Sequence, residues 1–403
     1  MSTKKSLSAV LITLVALSLT LSACGPAATP TPPPEPLVFG MILVGPQNDH
    51  GWSQAHFEAG QYLEQKLGAR MIVIDKVNPA DRPATTVDQV ASDMISQGAK
   101  LIFATSDDMK DGALLAAEQH PDVSMIWSSG DSAWAEGKAY QAALKNLGNI
   151  MGKMEYGKMI AGCAAALTTE TGSIGYLGPL INDETRRLTN SAYLGAKYCW
   201  ETYRGEAAAD LKFRVNWIGF WFNIPGVTLD PTKVSNDFFN AGFDVLMSGI
   251  DTTQALVQAG EQAKAGKAVW AIPYDFKDAC KEAAQVCLGV PYFNWGPGYV
   301  KLVKAYQAKT WKPDFEWVAP DWKDINNPDT SAVGWLSGPG LKPDAKTKVD
   351  DFIKSFGDGS INLWQGELRL QDGSVYLKAG EKATDNQIWF PPQLLQGMDG
   401  ASK

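Results

Sequence analysis

The sequence predicts an α/β protein of two doubly wound lobes, each on a parallel sheet. Three observations carry this expectation. From Leu37 onward short apolar runs alternate with longer amphipathic stretches, and strands that alternate with helices build parallel sheets covered on both faces. The alternation stops across "KNLGNIMGKMEYGKMIAGCAAALTTETG" and then restarts, so one design is used twice. The chain has 403 residues, more than one hydrophobic core usually serves.

The first unit reads in order as strand "LVFGMILVG", helix "GWSQAHFEAGQYLEQKLG", strand "RMIVIDKV", helix "ATTVDQVASDMISQG", strand "KLIFATS", helix "DGALLAAEQHP" and strand "VSMIWSSG". Gly68 and Gly98 follow the last turns of the first two helices, where glycine ends many helices. The second unit repeats the pattern: strand "SIGYLGP", helix "DETRRLTNSAYLGAKYCWE", strand "KFRVNWIGF", helix "PTKVSNDFFNAG", strand "FDVLMSG", helix "TTQALVQAGEQAKAG" and strand "KAVWAIPYD". From about Thr330 one amphipathic helix and an Asp-Gly hairpin signal at Asp372-Gly373 follow. The expected lobes are residues 37–148 with about 276–310, and residues 149–275 with about 311–403.

Ahead of the first strand, the basic head "MSTKK" leads into the apolar "SLSAVLITLVALSLTLSA". A basic head, an apolar middle and small residues at the end form a secretory signal, here residues 1–23. A single transmembrane anchor is the competing reading, but the run barely crosses a hydrocarbon core of ~30 Å and no basic stop follows. The junction "LSAC" is similar to the lipobox of bacterial lipoproteins. That resemblance implies cleavage before Cys24 and lipid on its thiol, and several acyl chains at one residue meet the requirement for stable membrane attachment. Residues 24–36 lack apolar periodicity and are rich in proline, which makes an extended, semi-rigid tether of about 3 Å per residue.

The net charge of −8 becomes −10 when Lys4 and Lys5 leave with the signal. Nucleic-acid binding needs a basic face, so no such partner is expected. Apart from Cys24 the cysteines are Cys163, Cys199, Cys280 and Cys287, an even number in an exported chain, where disulfides persist. Three pairings are open; Cys280 with Cys287, close in sequence, and Cys163 with Cys199 are preferred, and geometry decides. Zinc is the rival reading, without a CxxC or a histidine pair to support it; the histidines are His50, His56 and His120. The signatures GxSxG, GxxxxGKS/T and HExxH are missing. No catalytic residue, metal site or cofactor is therefore expected.

Ligands of such sheets sit at the carboxyl ends of the strands, and clefts between lobes bind small molecules. The candidate binding residues follow strands. Asn48, Asp49, Trp52 and Ser53 lie in "GPQNDHGWSQ", Ser106 ends "KLIFATS", and Ser129 lies in "MIWSSG". Trp221 and Asn223 lie in "GFWFNIPG", Asp251 and Asp275 end two strands of the second unit, and Asn294 and Trp295 lie in "PYFNWGPG". If the lobes face each other, Trp52 and Trp221 approach from opposite walls, and stacking is worth roughly 1–3 kcal/mol per base. Either aspartate can accept from a ring N–H, an amine or a ribose hydroxyl. The competing readings are core for the tryptophans and helix caps for Asn48 and the aspartates; with 14 tryptophans in the chain, abundance favours neither.

The segments "NDHGWSQAHFEAG", "KLIFATS", "PDVSMIW", "IGYLGPLINDETRRLTNSAYLGAK", "FDVLMSGIDTTQAL", "NWGPGYVK" and "QDGSVYLKAGE" resemble the basic membrane protein family of ABC-transporter substrate-binding lipoproteins, over about residues 38–398. The resemblance implies a type I periplasmic-binding fold whose two lobes are joined by hinge crossovers, hinge closure on a purine base or nucleoside, and delivery to an ABC permease by a lipid-anchored extracytoplasmic protein. It sets Trp52 and Trp221 as opposed stacking rings, Asn48, Asp49 and Ser53 beside the first ring, and Asp275 at ribose hydroxyls or the base edge. Two positions depart from the family pattern. Ser128 and Ser129 stand where many relatives carry an aspartate, and Phe293 or Asn294 stands where a lysine is common. The hydrogen-bond set for a purine nucleoside is thus incomplete, which leaves a free base or another flat heterocycle open. The alternative classes are a sensor lipoprotein, a sugar receptor on the same fold, and a surface hydrolase with paired carboxylates.

Overall fold

The computed structural model describes residues 35–403; the expected signal segment, Cys24 and nearly all of the tether lie outside the described residues. The first lobe is built from β1 (Val38–Ile42), α1 (Trp52–Leu67), β2 (Arg70–Ile74), α2 (Val87–Ser96), β3 (Leu101–Ala104), α3 (Lys110–Gln119), β4 (Ser124–Ser128) and β5 (Leu147–Gly152). Strands β3 and β4 are buried along their whole length, as strands covered on both faces must be. Gly68 ends α1 in the left-handed region at φ 62°, and Thr86 and Gln89 form a capping box that starts α2.

The chain then crosses to the second lobe, with α4 (Met154–Thr168), β6 (Ser173–Gly178), α5 (Asp183–Arg204), β7 (Lys212–Trp217), α6 (Pro231–Asn240), β8 (Val245–Ser248), α7 (Gln254–Lys264) and β9 (Trp270–Ile272). After it come β10 (Gly289–Phe293), α8 (Gly296–Gln307), β11 (Phe315–Val318), β12 (Val333–Ser337) and α9 (Pro343–Gly357). The hairpin β13 (Leu368–Arg369) and β14 (Val375–Leu377), α10 (Asp385–Trp389) and β15 (Met398–Asp399) complete the described chain. Two parallel sheets result, ordered β11-β5-β4-β3-β1-β2 and β15-β7-β6-β8-β9, with β10 and β12 paired as an antiparallel ribbon. Asp372 and Gly373 sit in the turn between β13 and β14, with Gly373 at φ 84°.

Sheet membership moves the expected lobe boundaries. Strand β5 lies wholly in the first sheet, and β11 pairs with it in parallel, Phe315 opposite Asn149, so the first lobe takes residues assigned above to the second. Conversely, Val286 and Cys287 pack with Phe238, Leu256 and Ala271 in the core of the second lobe. A parallel edge strand that returns by a crossover carries no local turn signal, and β11 is only half-buried, so its pattern is weak.

Helices α4 and α5 lie in close contact. A Cβ at Gly162 would meet the carbonyl oxygen of Ala192, and one at Gly195 would meet that of Met159, so only glycine lets these backbones touch. The Cys163–Cys199 disulfide ties the same pair, with Cα atoms 5.1 Å apart. Cys280 and Cys287 form the second disulfide at 5.5 Å.

Candidate functional site

Loops at the carboxyl ends of β1, β3 and β4 face those after β6, β7, β8 and β9. The two sets touch. The backbone at Gly51 lies against the Asp251 carbonyl so closely that any Cβ would collide with it. His50 pairs with Glu282, Lys138 with Asp183 at 2.6 Å, and Asn182 Nδ2 donates to Asp107 Oδ2 at 3.2 Å. Between the lobes these contacts bound a narrow cavity.

One wall is aromatic and stiff. Trp52 opens α1, is buried, and donates its indole N–H to the Thr105 carbonyl. The edges of Phe293 and Trp295 brace it, with ring centroids at 5.3 and 5.4 Å and planes near perpendicular. Behind them His56 stacks on Trp295 at 4.2 Å and shares a hydrogen bond of 2.6 Å with the Tyr299 hydroxyl. Complete burial holds His56 well below its usual pKa and therefore uncharged. Ser106 and Ser129 line the same side. Ser129 stands at φ 66°, a strained conformation for a residue with a Cβ, and its buried Oγ has no partner among the described residues.

The opposite wall is charged. Trp221 faces the cavity from the loop after β7, and its carbonyl accepts the Asp251 N–H at 2.9 Å. Tyr176 and Tyr274 line the floor. Lys158, fully buried on α4, lies 3.2 Å from the Tyr274 ring centroid and donates to the Ser248 carbonyl at 2.7 Å; burial pulls its pKa down to about 7. Glu184, in the first turn of α5, is pushed up to about 7 by burial. Burial, and then the neighbouring Asp275 and Asp49, hold Asp251 well above the usual carboxylate range.

Of the residues expected at the site, Trp52, Ser106, Ser129, Trp221 and Asp251 line the cavity. The others sit elsewhere, each for a local reason. Asp49 caps α1, accepting from the N–H groups of Gly51, Ser53 and Gln54 at 2.9 Å. The Ser53 hydroxyl accepts the Gly45 N–H at 2.9 Å. Asn48 is exposed on the outer face, and Asn223, also exposed, accepts from the Thr228 hydroxyl at 3.1 Å. Asn294 donates to the carbonyls of Pro328 and Ser331, and Trp295 supports Trp52 from behind. Asp275 is completely buried off the cavity, at φ 70°, where its backbone bridges to Tyr292 in the crossover.

Sequence reasoning missed Asp107, Tyr176, Glu184 and Tyr274. Asp107 and Glu184 both obey the strand-end rule used for the others, in "ATSDDM" and "PLINDET". Tyr176 lies inside a strand that reads as plain core. Among the described residues no group of His, Cys, Asp or Glu is placed to hold a metal ion, and no helix is long and apolar enough to cross a membrane.

Comparison with known proteins bears on this geometry. Residues 37–311 match the family model described as ABC transporter substrate-binding protein PnrA-like. The chain is 28% identical over 367 residues to a purine-binding protein of Brucella abortus, covering 91% of this chain and 93% of that one. It is 22% identical over 339 residues to a candidate ABC transporter glucose-binding protein of Haloferax volcanii, covering 83% and 76%. An ABC transporter solute-binding protein of Aeropyrum pernix superposes with a TM-score of 0.63 at 11% identity, over 81% of this chain and 93% of that one, so the fold is the type I periplasmic-binding fold. The chain belongs to the basic membrane protein family of PnrA-like ABC transporter substrate-binding proteins, which bind small molecules outside the cytoplasm and are not enzymes.

Proposed function

We propose that this chain captures a purine base or nucleoside between its lobes by hinge closure and delivers it to an ABC permease from a lipid anchor at Cys24. The observation that carries the reading is that Trp52 and Trp221, from different lobes, line one cavity. A flat ring that touches both favours the closed state, because only there are both contacts made. Asp251, Tyr274 and Ser129 supply polar groups for ring nitrogens, amines or hydroxyls. The name of the Brucella abortus relative supports the purine class.

The test is a thermal-shift and calorimetric screen of the chain carrying Cys24→Ser against adenine, adenosine, guanosine, flavins and sugars. A ligand that binds only the native state raises the melting temperature. A shift with purines supports the reading. A shift with sugars alone overturns it and favours the class named for the Haloferax volcanii relative. The anchor is tested separately: wild-type chain fractionates with membranes, Cys24→Ser chain is released, and equal release of both refutes the anchor.

A further inference from the structure

The cavity carries an imbalance of charge that a neutral purine does not use. Four aromatic rings line it, those of Trp52, Tyr176, Trp221 and Tyr274, together with the carboxyl groups of Asp107, Glu184 and Asp251. Among the described residues no lysine, arginine or histidine lines it. The nearby cations lie outside the lining, and each has another partner, although the buried Arg187 Nη2 has none among the described residues. Arg187 donates to Glu155 at 2.7 Å, both buried. Lys158 stands behind Tyr274 on the Ser248 carbonyl, its charge opposed by Asp275. Lys138 is paired with Asp183 at 2.6 Å and Lys110 with Asp111 at 3.8 Å. Three acids line the space and no cation does; Arg187 and Lys158 act on Glu184 from outside the lining, Arg187 and Lys110 on Asp107, and the buried Ser129 Oγ beside them lacks a partner among the described residues.

We propose that the cavity selects a flat nitrogen heterocycle bearing a positive charge, protonated or N-alkylated, over its neutral parent. This rests on the ring-capture reading above and narrows it. The face of an indole or phenol ring is electronegative, and a cation over it is held more strongly when water is excluded. Buried carboxyl groups are costly to ionise, and a cationic ring favours the ionised form of the acid it contacts. Burial pushes both Glu184 and Asp251 up and so favours their neutral forms; a cation in the cavity draws them back toward ionisation, an attraction that the neutral parent ring lacks.

The experiment is calorimetry on the full chain carrying Cys24→Ser, with adenosine against 1-methyladenosine, guanosine against 7-methylguanosine, and thiamine as a cationic ring that is not a purine. The methyl groups of the two charged nucleosides lie on different ring edges, so a clash at one edge leaves the other pair informative. At least one methylated member is expected to bind about tenfold or more tighter than its parent, given the strength of a desolvated cation on an aromatic face. That ratio is expected to fall toward one in Glu184→Gln and in Asp251→Asn. Parents that bind as tightly as the methylated member in both pairs overturn the proposal and leave the purine reading standing. Thiamine binding without any purine upholds the proposal and overturns the purine reading. No binding by any probe overturns both.

Discussion

The two walls of the cavity are built from the same sequence device, a loop after a parallel strand, yet they do different work. The first-lobe wall is an aromatic stack in which Trp52 is fixed by Phe293, Trp295 and His56, with Asp107 as its one lining acid. The second-lobe wall holds Trp221 by one backbone hydrogen bond to Asp251 and is underlain by Lys158, Glu184 and Asp275. The difference teaches that one lobe presents a preformed aromatic surface and the other brings two of the three lining acids. Closure unites them at Gly51, whose backbone meets Asp251.

Four substitutions break or sharpen that contrast. Trp52→Ala removes a buried ring from a packed aromatic stack, so it is expected to cost about 3–5 kcal/mol of stability as well as affinity, read by denaturant unfolding. A loss of affinity alone would show that the first wall is not preformed. Glu184→Gln tests the charge of the second wall. Because the folded-state pKa of Glu184 is raised to about 7, the folded protein binds more protons than the unfolded chain between the ordinary glutamate value and pH 7. Stability therefore falls as pH rises through that window, by about 3 kcal/mol from this group. The variant is expected to lose correspondingly less between pH 4 and pH 8, and equal pH profiles would remove Glu184 from the buried wall.

Gly51→Val is expected to block closure, since its side chain would meet the Asp251 carbonyl. Affinity should drop about 100-fold, near 3 kcal/mol, while the melting temperature without ligand changes little. Unchanged affinity would mean that the ligand is held without this interlobe contact. Trp221→Ala removes one stacking face from a loop residue, so it should weaken ring binding by about 1–3 kcal/mol and leave stability closer to wild type than Trp52→Ala does. If the two tryptophan variants behave alike in stability, the walls do not differ as described.

Much of the fold was legible in the sequence, and the reasons are local. Gly68 and the Asp372-Gly373 turn announce a helix end and a hairpin through conformations that neighbours three or four residues away require. Strand β11 was not legible, because its partner β5 lies more than 150 residues earlier and its half-buried residues show no clean pattern. In the site, Trp52 and Asp49 sit three residues apart with equal claims on the sequence. The chain turns the Asp49 carboxylate back onto three N–H groups of α1 and leaves Trp52 facing the cavity.

By itself, then, the sequence determined the alternation of strands and helices, the repeat of that alternation, and the loops at strand ends where ligand must sit, because periodicity and turn chemistry act over a few residues. Tertiary structure decided which of those loop residues face the cavity and which cap a helix or brace a ring. It also decided that Glu184, Asp251 and Lys158 would be buried together, because burial and charge depend on groups brought together from distant parts of the chain.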